Sequence, residues 1–241
     1  MGRMRRRLKT GLFQPVHIGV LIRRRHLWSV CSRLPLDRFR RILDAGCGPG
    51  QEALEMARAC PWAEIVALDL HDAPPAFAEA PANLRFIQGD LQGITFAAEF
   101  DFIYCIDVLE HIRDNRAVMG NFFRALRPGG YLLLHIPDDR RQKRFFPRRW
   151  FRDFDRWAEY EHVGEQYTPG ELRALLAGLG FTVLESRHTF GRAGQLAWEL
   201  DRLTDGHGRV KSMLAPLTRS LAWIAVHSRP RRGPALALAQ K

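Results

Sequence analysis

The stretch "RILDAGCGPGQEALEMA", Arg41–Ala57, decides how the rest of the chain is read. A short apolar run meets three glycines, Gly46, Gly48 and Gly50, and passes directly into a helical pattern. Such a turn presents backbone N–H groups and lets a ligand approach with no Cβ in the way. It has the form of a nucleotide-binding turn. Its spacing is GxGxG, whereas a dinucleotide fold asks for GxGxxG. Asp44, on the strand itself, adds an anion that repels a pyrophosphate and favours a ligand carrying an ammonium or sulfonium group. Both features disfavour a dehydrogenase.

Outward from the turn, strands alternate with helix-length segments. "EIVALDL" (64–70), "LRFIQGD" (84–90) and "FDFIYCID" (100–107) read as the second to fourth strands. "NRAVMGNFFRALR" is a helix, "PGGYLLLHIP" a fifth strand, and "FTVLESRHTF" a sixth. Near-continuous apolar strands of this kind predict a mostly parallel sheet covered on both faces, the doubly wound α/β class. "TPGELRALLAGLGF" is a helix capped by Thr168, with Pro169 in its first turn and Glu171 three after the cap. Two further helices are expected at about 194–204 and 211–227, and "GPALALAQK" (233–241) as a last strand. Residues 1–40 read as a basic arm and an amphipathic helix, with Val20, Leu21, Leu27, Val30 and Leu34 roughly at helical spacing. The domain proper is expected over 41–241, with an insertion at about 138–167.

Bulk properties narrow the class. The chain has 241 residues, a net charge of +11 and 46% hydrophobic residues, enough for one sizeable domain. No apolar run approaches the roughly 18 residues of a spanning helix, and the N-terminal segment has no clean secretory pattern. A cytoplasmic protein is expected. Its four cysteines, Cys31, Cys47, Cys60 and Cys105, lack metal spacing and read as free, buried thiols. Positive charge gathers in the N-terminal arm, in Arg140–Arg152 and in Arg229–Arg232. Such clusters attract nucleic acid, anionic lipid or acidic substrates, or are simply solvated basic faces.

The polar residues at the strand ends specify the ligand further. Asp69 ends the second strand, where a carboxylate can accept both hydroxyls of a ribose. The third strand ends in "GDL", which places Asp90 to accept from an adenine amino group and Leu91 against the ring. Together "LDAGCGPG", "ALDL", "GDL", "FDFIYCIDVLEHIRD" and "LRPGGYLLLHIP" resemble the class I S-adenosylmethionine-dependent methyltransferases, over about residues 40–190. The likeness is to the small-molecule branch that includes ubiquinone-pathway and polysaccharide- or lipid-associated enzymes. It implies a seven-stranded Rossmann-like sheet with an antiparallel last strand and S-adenosyl-L-methionine as cofactor. It further implies cofactor contacts from Asp44, Gly46, Cys47, Gly48 and Gly50, from Asp69, Leu70, Asp90 and Leu91, and from Cys105, Ile106 and Asp107.

Two histidines are the candidates for chemistry. His111, in "IDVLEHIRD", lies at the carboxyl edge of the fourth strand and can act as a base toward a hydroxyl acceptor. Alternatively, Glu110 and His111 brace the cofactor loop. His162, in "EYEHVGEQYT", matches a recurring His-Val element of the resembling family, and with Tyr167 it is expected to face the acceptor. No metal is assigned. Asp107, Glu110 and His111 have ligand character at i, i+3 and i+4, and related quinone-pathway enzymes carry an acidic–x–x–Glu–His set there. Here the shorter Asp107 argues against a metal.

The segment 138–167 interleaves arginines with Phe145, Phe146, Trp150, Phe151 and Phe154. It reads as a substrate lid, or as a loop whose aromatics pack on the sheet. "VKSMLAPLTRSLAWIAVHSRPRR" (210–232) is a core helix or a peripheral contact with the inner face of an anionic membrane. The expected function is transfer of a methyl group to a small-molecule or lipid- or glycan-linked acceptor, more at oxygen than elsewhere. The alternative is a nucleic-acid-binding protein or RNA methyltransferase using the basic surface. The absence of a [DN]PP[YF] tetrapeptide after the fourth strand disfavours base methylation, so nucleic acid is not the expected partner. No oligomeric state is assigned.

Overall fold

The computed structural model of the chain describes residues 17–138 and 144–241. The basic arm before His17, and Arg140, Arg141 and Lys143 of the second basic cluster, lie outside the described residues. Seven strands form one sheet: β1 (Arg41–Ala45), β2 (Glu64–Asp69), β3 (Leu84–Gln88), β4 (Phe100–Ile106), β5 (Leu126–Ile136), β6 (Thr182–His188) and β7 (Ala235–Gln240). Their spatial order is β3-β2-β1-β4-β5-β7-β6. β1 to β5 pair in parallel, and β7 runs antiparallel to both β5 and β6. This is the doubly wound, mostly parallel sheet with an antiparallel last strand. β5 begins at Leu126, two residues before the expected Pro128, because Leu126 already pairs with Phe100 across a bulge.

Alternation along the strands sorts side chains to the two faces. Leu43, Val66, Ile103 and Leu132 face α3 (Asn115–Ala125) and α5 (Pro169–Gly178), where Phe122 and Leu176 complete a buried cluster. Ile42, Ile65, Phe102 and Leu133 face the other way, onto α1 (Ile18–Cys31) and α2 (Gln51–Ala59). The Thr168–Glu171 capping box that starts α5 is present in both directions. All four cysteines are free and buried, as the composition implied.

Of the residues expected on the apolar face of α1, Leu27 and Val30 are buried and the others are not. The buried residues of the helix include Ile18, Ile22, His26, Leu27, Val30 and Cys31, while Leu34 lies beyond the helix end. Val20 and Leu21 are only partly buried. The reason is tertiary: α1 packs on α6 (Gly191–Leu203) and α7 (Gly208–His227) as well as on the sheet, and Ile18 and Ile22 join Phe190, Ala197, Ala222 and Ala225 in a third cluster. Buried Asp201 of α6 binds the three helices together. It accepts from the Ile18 N–H at 3.1 Å and pairs with Lys211 at 3.0 Å. Among the described residues, no helix is long and apolar enough to cross a membrane.

Candidate active site

In an open α/β sheet the ligand crevice lies at the carboxyl edge where the strand order reverses, here between β1 and β4. On the β1 side, the Gly46 and Cys47 N–H groups both donate to Leu68 O, which fixes the glycine turn on β2. Gly46 has φ +82°, and a Cβ there would sit 2.4 Å from Val108 Cγ2, so the turn touches the loop after β4 directly. The Gly48 N–H donates to Asp69 Oδ2 at 2.8 Å, and the His71 N–H to Asp69 Oδ1 at 3.1 Å. Gly50 is the N-cap of α2. Asp44 is buried, and burial raises its carboxyl pKa well above the ordinary range. The Tyr104 hydroxyl beside it offsets this only partly, and Asp44 Oδ2 has no partner in proper hydrogen-bond geometry.

The remaining cofactor candidates line up along the same edge. Asp90 caps the short turn after β3, accepting from the Gln92 N–H at 2.9 Å, and Leu91 packs into the core. Leu70 is 63% exposed. Cys47 and Cys105 are buried, and burial pushes both thiols well up. Ile106 packs on the cluster beneath α2. The residues from β1, β2, β3 and β4 are thus brought to one edge.

The other side of the edge is a cleft of about 240 Å³, lined by Asp107, Glu110, His111, His162 and residues far away in sequence. The Asp107 carboxylate pairs with Arg23 at 2.6 Å and with His135 at 2.5 Å. His135 Nε2 lies 2.9 Å from the Thr189 hydroxyl. Burial opposes ionisation of Asp107, but Arg23 and His135 together outweigh it and hold the carboxyl below its ordinary range. Asp107 therefore serves a network within the cleft and is not grouped with Glu110 and His111 as a ligand set. The groups that do meet are Glu110, His111 and His162, whose ligand atoms lie within 4.8 Å of one another.

His111 Nδ1 lies 3.1 Å from Glu161 O. A carbonyl only accepts, so Nδ1 carries the proton and Nε2 keeps its lone pair. Burial lowers the His111 pKa, with the Glu161 carbonyl pulling the other way, so the ring is neutral at pH 7. His162 stands edge-on to it, ring centroids 5.0 Å apart. The Gly164 N–H fixes this arrangement by donating to Glu110 O at 2.8 Å, and a Cβ on Gly164 would fall 2.4 Å from Ile112 O. Tyr167, by contrast, is turned into the core, its hydroxyl 2.7 Å from Asn115 Oδ1 and 2.9 Å from Glu165 Oε2. It does not line the cleft, because those two groups satisfy the hydroxyl in the interior.

The described part of the insertion forms a short turn and α4 (Arg152–Glu161) over the cleft. Its Phe151 and Phe154 pack on Trp198 of α6, and buried Glu199 accepts from the Phe145 and Phe146 N–H groups. Sequence reasoning missed Arg23, His135, Trp198 and Arg202, which line the cleft from α1, β5 and α6. The one available signal was His135, a lone histidine inside the apolar strand "YLLLHI".

A family described as a methyltransferase domain matches residues 22–186. The chain belongs to the class I S-adenosylmethionine-dependent methyltransferases. S-adenosylmethionine is the cofactor that this membership brings. The methyltransferase is 32% identical over 162 residues to trans-aconitate 2-methyltransferase of Variovorax paradoxus, covering 66% of this chain and 60% of that one. It is 34% identical over 115 residues to malonyl-[acyl-carrier protein] O-methyltransferase of Enterobacter lignolyticus, covering 46% and 44%. The chain spans about half the length of the curated relatives it matches. Phosphoethanolamine N-methyltransferase 2 of Haemonchus contortus, solved with S-adenosyl-L-methionine, superposes with a TM-score of 0.64 at 18% identity, over 90% of this chain and 52% of that chain. That likeness is one of fold.

Proposed function

We propose that this methyltransferase transfers a methyl group from S-adenosylmethionine to an oxygen of a small-molecule or lipid-linked acceptor held in the cleft beside His111. The observation that carries the reading is the orientation of His111: a neutral ring with Nδ1–H donated to Glu161 O and Nε2 left as a base within the cleft. The cofactor supplies a methyl group on a positively charged sulfur. Asp44 supports its binding: burial by itself favours its neutral acid, and a cation beside the unpartnered Oδ2 would stabilise the carboxylate in its place. In this reading Asp69 holds the ribose hydroxyls, Asp90 and Leu91 the adenine, and the Cys105–Asp107 stretch the wall opposite the glycines.

His111 takes the proton of an acceptor hydroxyl through Nε2, with His162 fixing the acceptor beside it. An acidic acceptor, as in the names of the aconitate and malonyl relatives, needs no base, and the arginines lining the cleft, Arg23 and Arg202, already pair with Asp107 and Asp205. The nucleic-acid alternative draws little support from the insertion: Arg144 and Arg148 pair with Asp155, and Arg156 with Asp153. Labelled methyl transfer from S-adenosylmethionine into extracts of lipids, quinones and organic acids tests the reading. An organic-soluble product is expected, and label appearing only in nucleic acid would overturn it.

A second reading concerns location. Along α7, Val210, Met213, Leu217 and Ile224 follow one another at helical spacing and are exposed, with Trp223 beside them and Arg229 to Arg232 just past the helix end. An apolar stripe ending in a basic cluster suits the surface of an anionic membrane. The protein is expected to sediment with anionic vesicles at low salt and to be released by salt. No sedimentation at low salt removes this reading.

A further inference from the structure

Next to the cleft, and joined to it through Gln195, which lines both, runs a larger groove of about 870 Å³. Its walls are the start of α6, the end of α7 with the turn after it, and Arg144 and Phe145 of the insertion. Four arginines line it, and they are not alike. Arg144 is committed elsewhere: it pairs with Asp155 and lies over the Phe151 ring, 4.7 Å from the centroid. Arg192, Arg231 and Arg232 are exposed, and among the described residues none of them pairs with a carboxylate, although Arg192 lies over the Phe145 ring, 5.5 Å from the centroid.

The backbone adds two more donors. β6 passes into α6 through Phe190, whose φ of 63° and ψ of −64° close a γ-turn, with the Gly191 N–H donating to Thr189 O at 2.7 Å. This form of the turn is strained and rare for a bulky residue. Phe190 tolerates it because its ring is buried among Ile22, Ala197 and Ala222. The turn starts α6 abruptly, with no side-chain cap. Among the described residues, the Arg192 and Ala193 N–H groups have no acceptor. α6 is 13 residues long, so this end carries the positive pole of a full helix. Around these donors the lining is apolar, from Phe145, Ile224 and Pro230.

Three unpaired guanidinium groups and two free N–H groups exceed what the two oxygens of one carboxylate can accept. A phosphate, with a charge near −2 and three acceptor oxygens, comes nearer than a carboxylate to the three positive charges and to the number of donors. We propose that this groove is a second compartment of the acceptor site, which binds a phosphate joined to an apolar chain. Binding by the groove stands on its own geometry; the assignment of its occupant as the methyl acceptor rests on the methyl-transfer reading.

The test is calorimetry on the full chain with octyl phosphate below its micelle concentration. Inorganic phosphate and octanol serve as the two halves of the probe, and S-adenosylhomocysteine is titrated in parallel. The wild type is compared with the Arg192→Gln/Arg231→Gln/Arg232→Gln variant. Octyl phosphate is expected to bind the wild type at least about ten-fold more tightly than inorganic phosphate or octanol, and to lose about ten-fold or more in the variant. S-adenosylhomocysteine affinity should be equal in the two proteins, which also reports that the variant is folded. No binding of octyl phosphate, equal binding in both proteins, or binding no tighter than that of inorganic phosphate overturns the proposal. If octyl phosphate behaves as expected and S-adenosylhomocysteine binds neither protein, the groove stands and the methyl-transfer reading falls.

Discussion

The two halves of the carboxyl edge are built on different physical principles. On the glycine side, the groups positioned are mostly backbone: Leu68 O holds two N–H groups of the turn, and the Asp69 carboxylate holds a third, that of Gly48, together with the His71 N–H after β2. On the cleft side, the positioning is done by charged and aromatic side chains from separate elements. Arg23 of α1 reaches Asp107 after β4, His135 of β5 reaches both Asp107 and Thr189, and Trp198 of α6 supports the insertion. A backbone-built site is indifferent to most side-chain changes and suits a ligand shared by a whole family. A side-chain-built site can be altered one residue at a time, and acceptor choice is expected to reside there.

Substitutions should separate the halves. The largest effect is expected for Asp107→Ala, which leaves Arg23 and His135 facing each other with no carboxylate between them. Breaking a mostly buried pair costs about 3 kcal/mol of stability, and denaturant unfolding would read it. A loss below about 1 kcal/mol would show that Arg23 is held by something else. His111→Gln should lower kcat roughly 10²-fold for a hydroxyl acceptor, with S-adenosylhomocysteine affinity unchanged. Because burial lowers the His111 pKa in the free protein, the acid limb of the wild-type kcat/KM profile should lie below the ordinary histidine value of about 6.5. Activity is full above that limb and falls as pH drops through it. The limb should vanish in the variant, and a limb that persists assigns the base to another group.

The smallest effect is expected from chelation. Glu110, His111 and His162 are close enough to hold an ion, but a His111 acting as base keeps Nε2 for a proton. Activity should be unchanged by a chelator. Loss of activity restored by a divalent ion would move His111 from base to ligand.

How much of this was legible in the sequence follows the same division. The strands, the glycine turn and the Thr168 cap are local patterns, and the structure places them within a residue or two of where the chain indicates. The antiparallel last strand came from the family resemblance, and β7 pairs as it implies. The cleft was legible only in His111 and His162, which share short motifs. Arg23 reads in sequence as one of three consecutive arginines, and nothing local sets it apart from Arg24, which pairs with Glu55 instead. Tyr167 was misread because its partner Asn115 is 52 positions away. Val20 and Leu34 were placed on the apolar side of α1 by periodicity alone, while three packing partners chose Ile18, Ile22 and His26.

The central claim is that the turn at Gly46, Gly48 and Gly50 binds the cofactor, because methyl transfer to any acceptor beside His111 depends on it. Calorimetry with S-adenosylhomocysteine tests it most directly, on the wild type and on Asp69→Ala. The wild type is expected to bind, and the variant to bind about 1–3 kcal/mol more weakly, as for a lost charged hydrogen-bond partner. Absence of binding to the wild type, or equal affinity in the two proteins, would contradict the account.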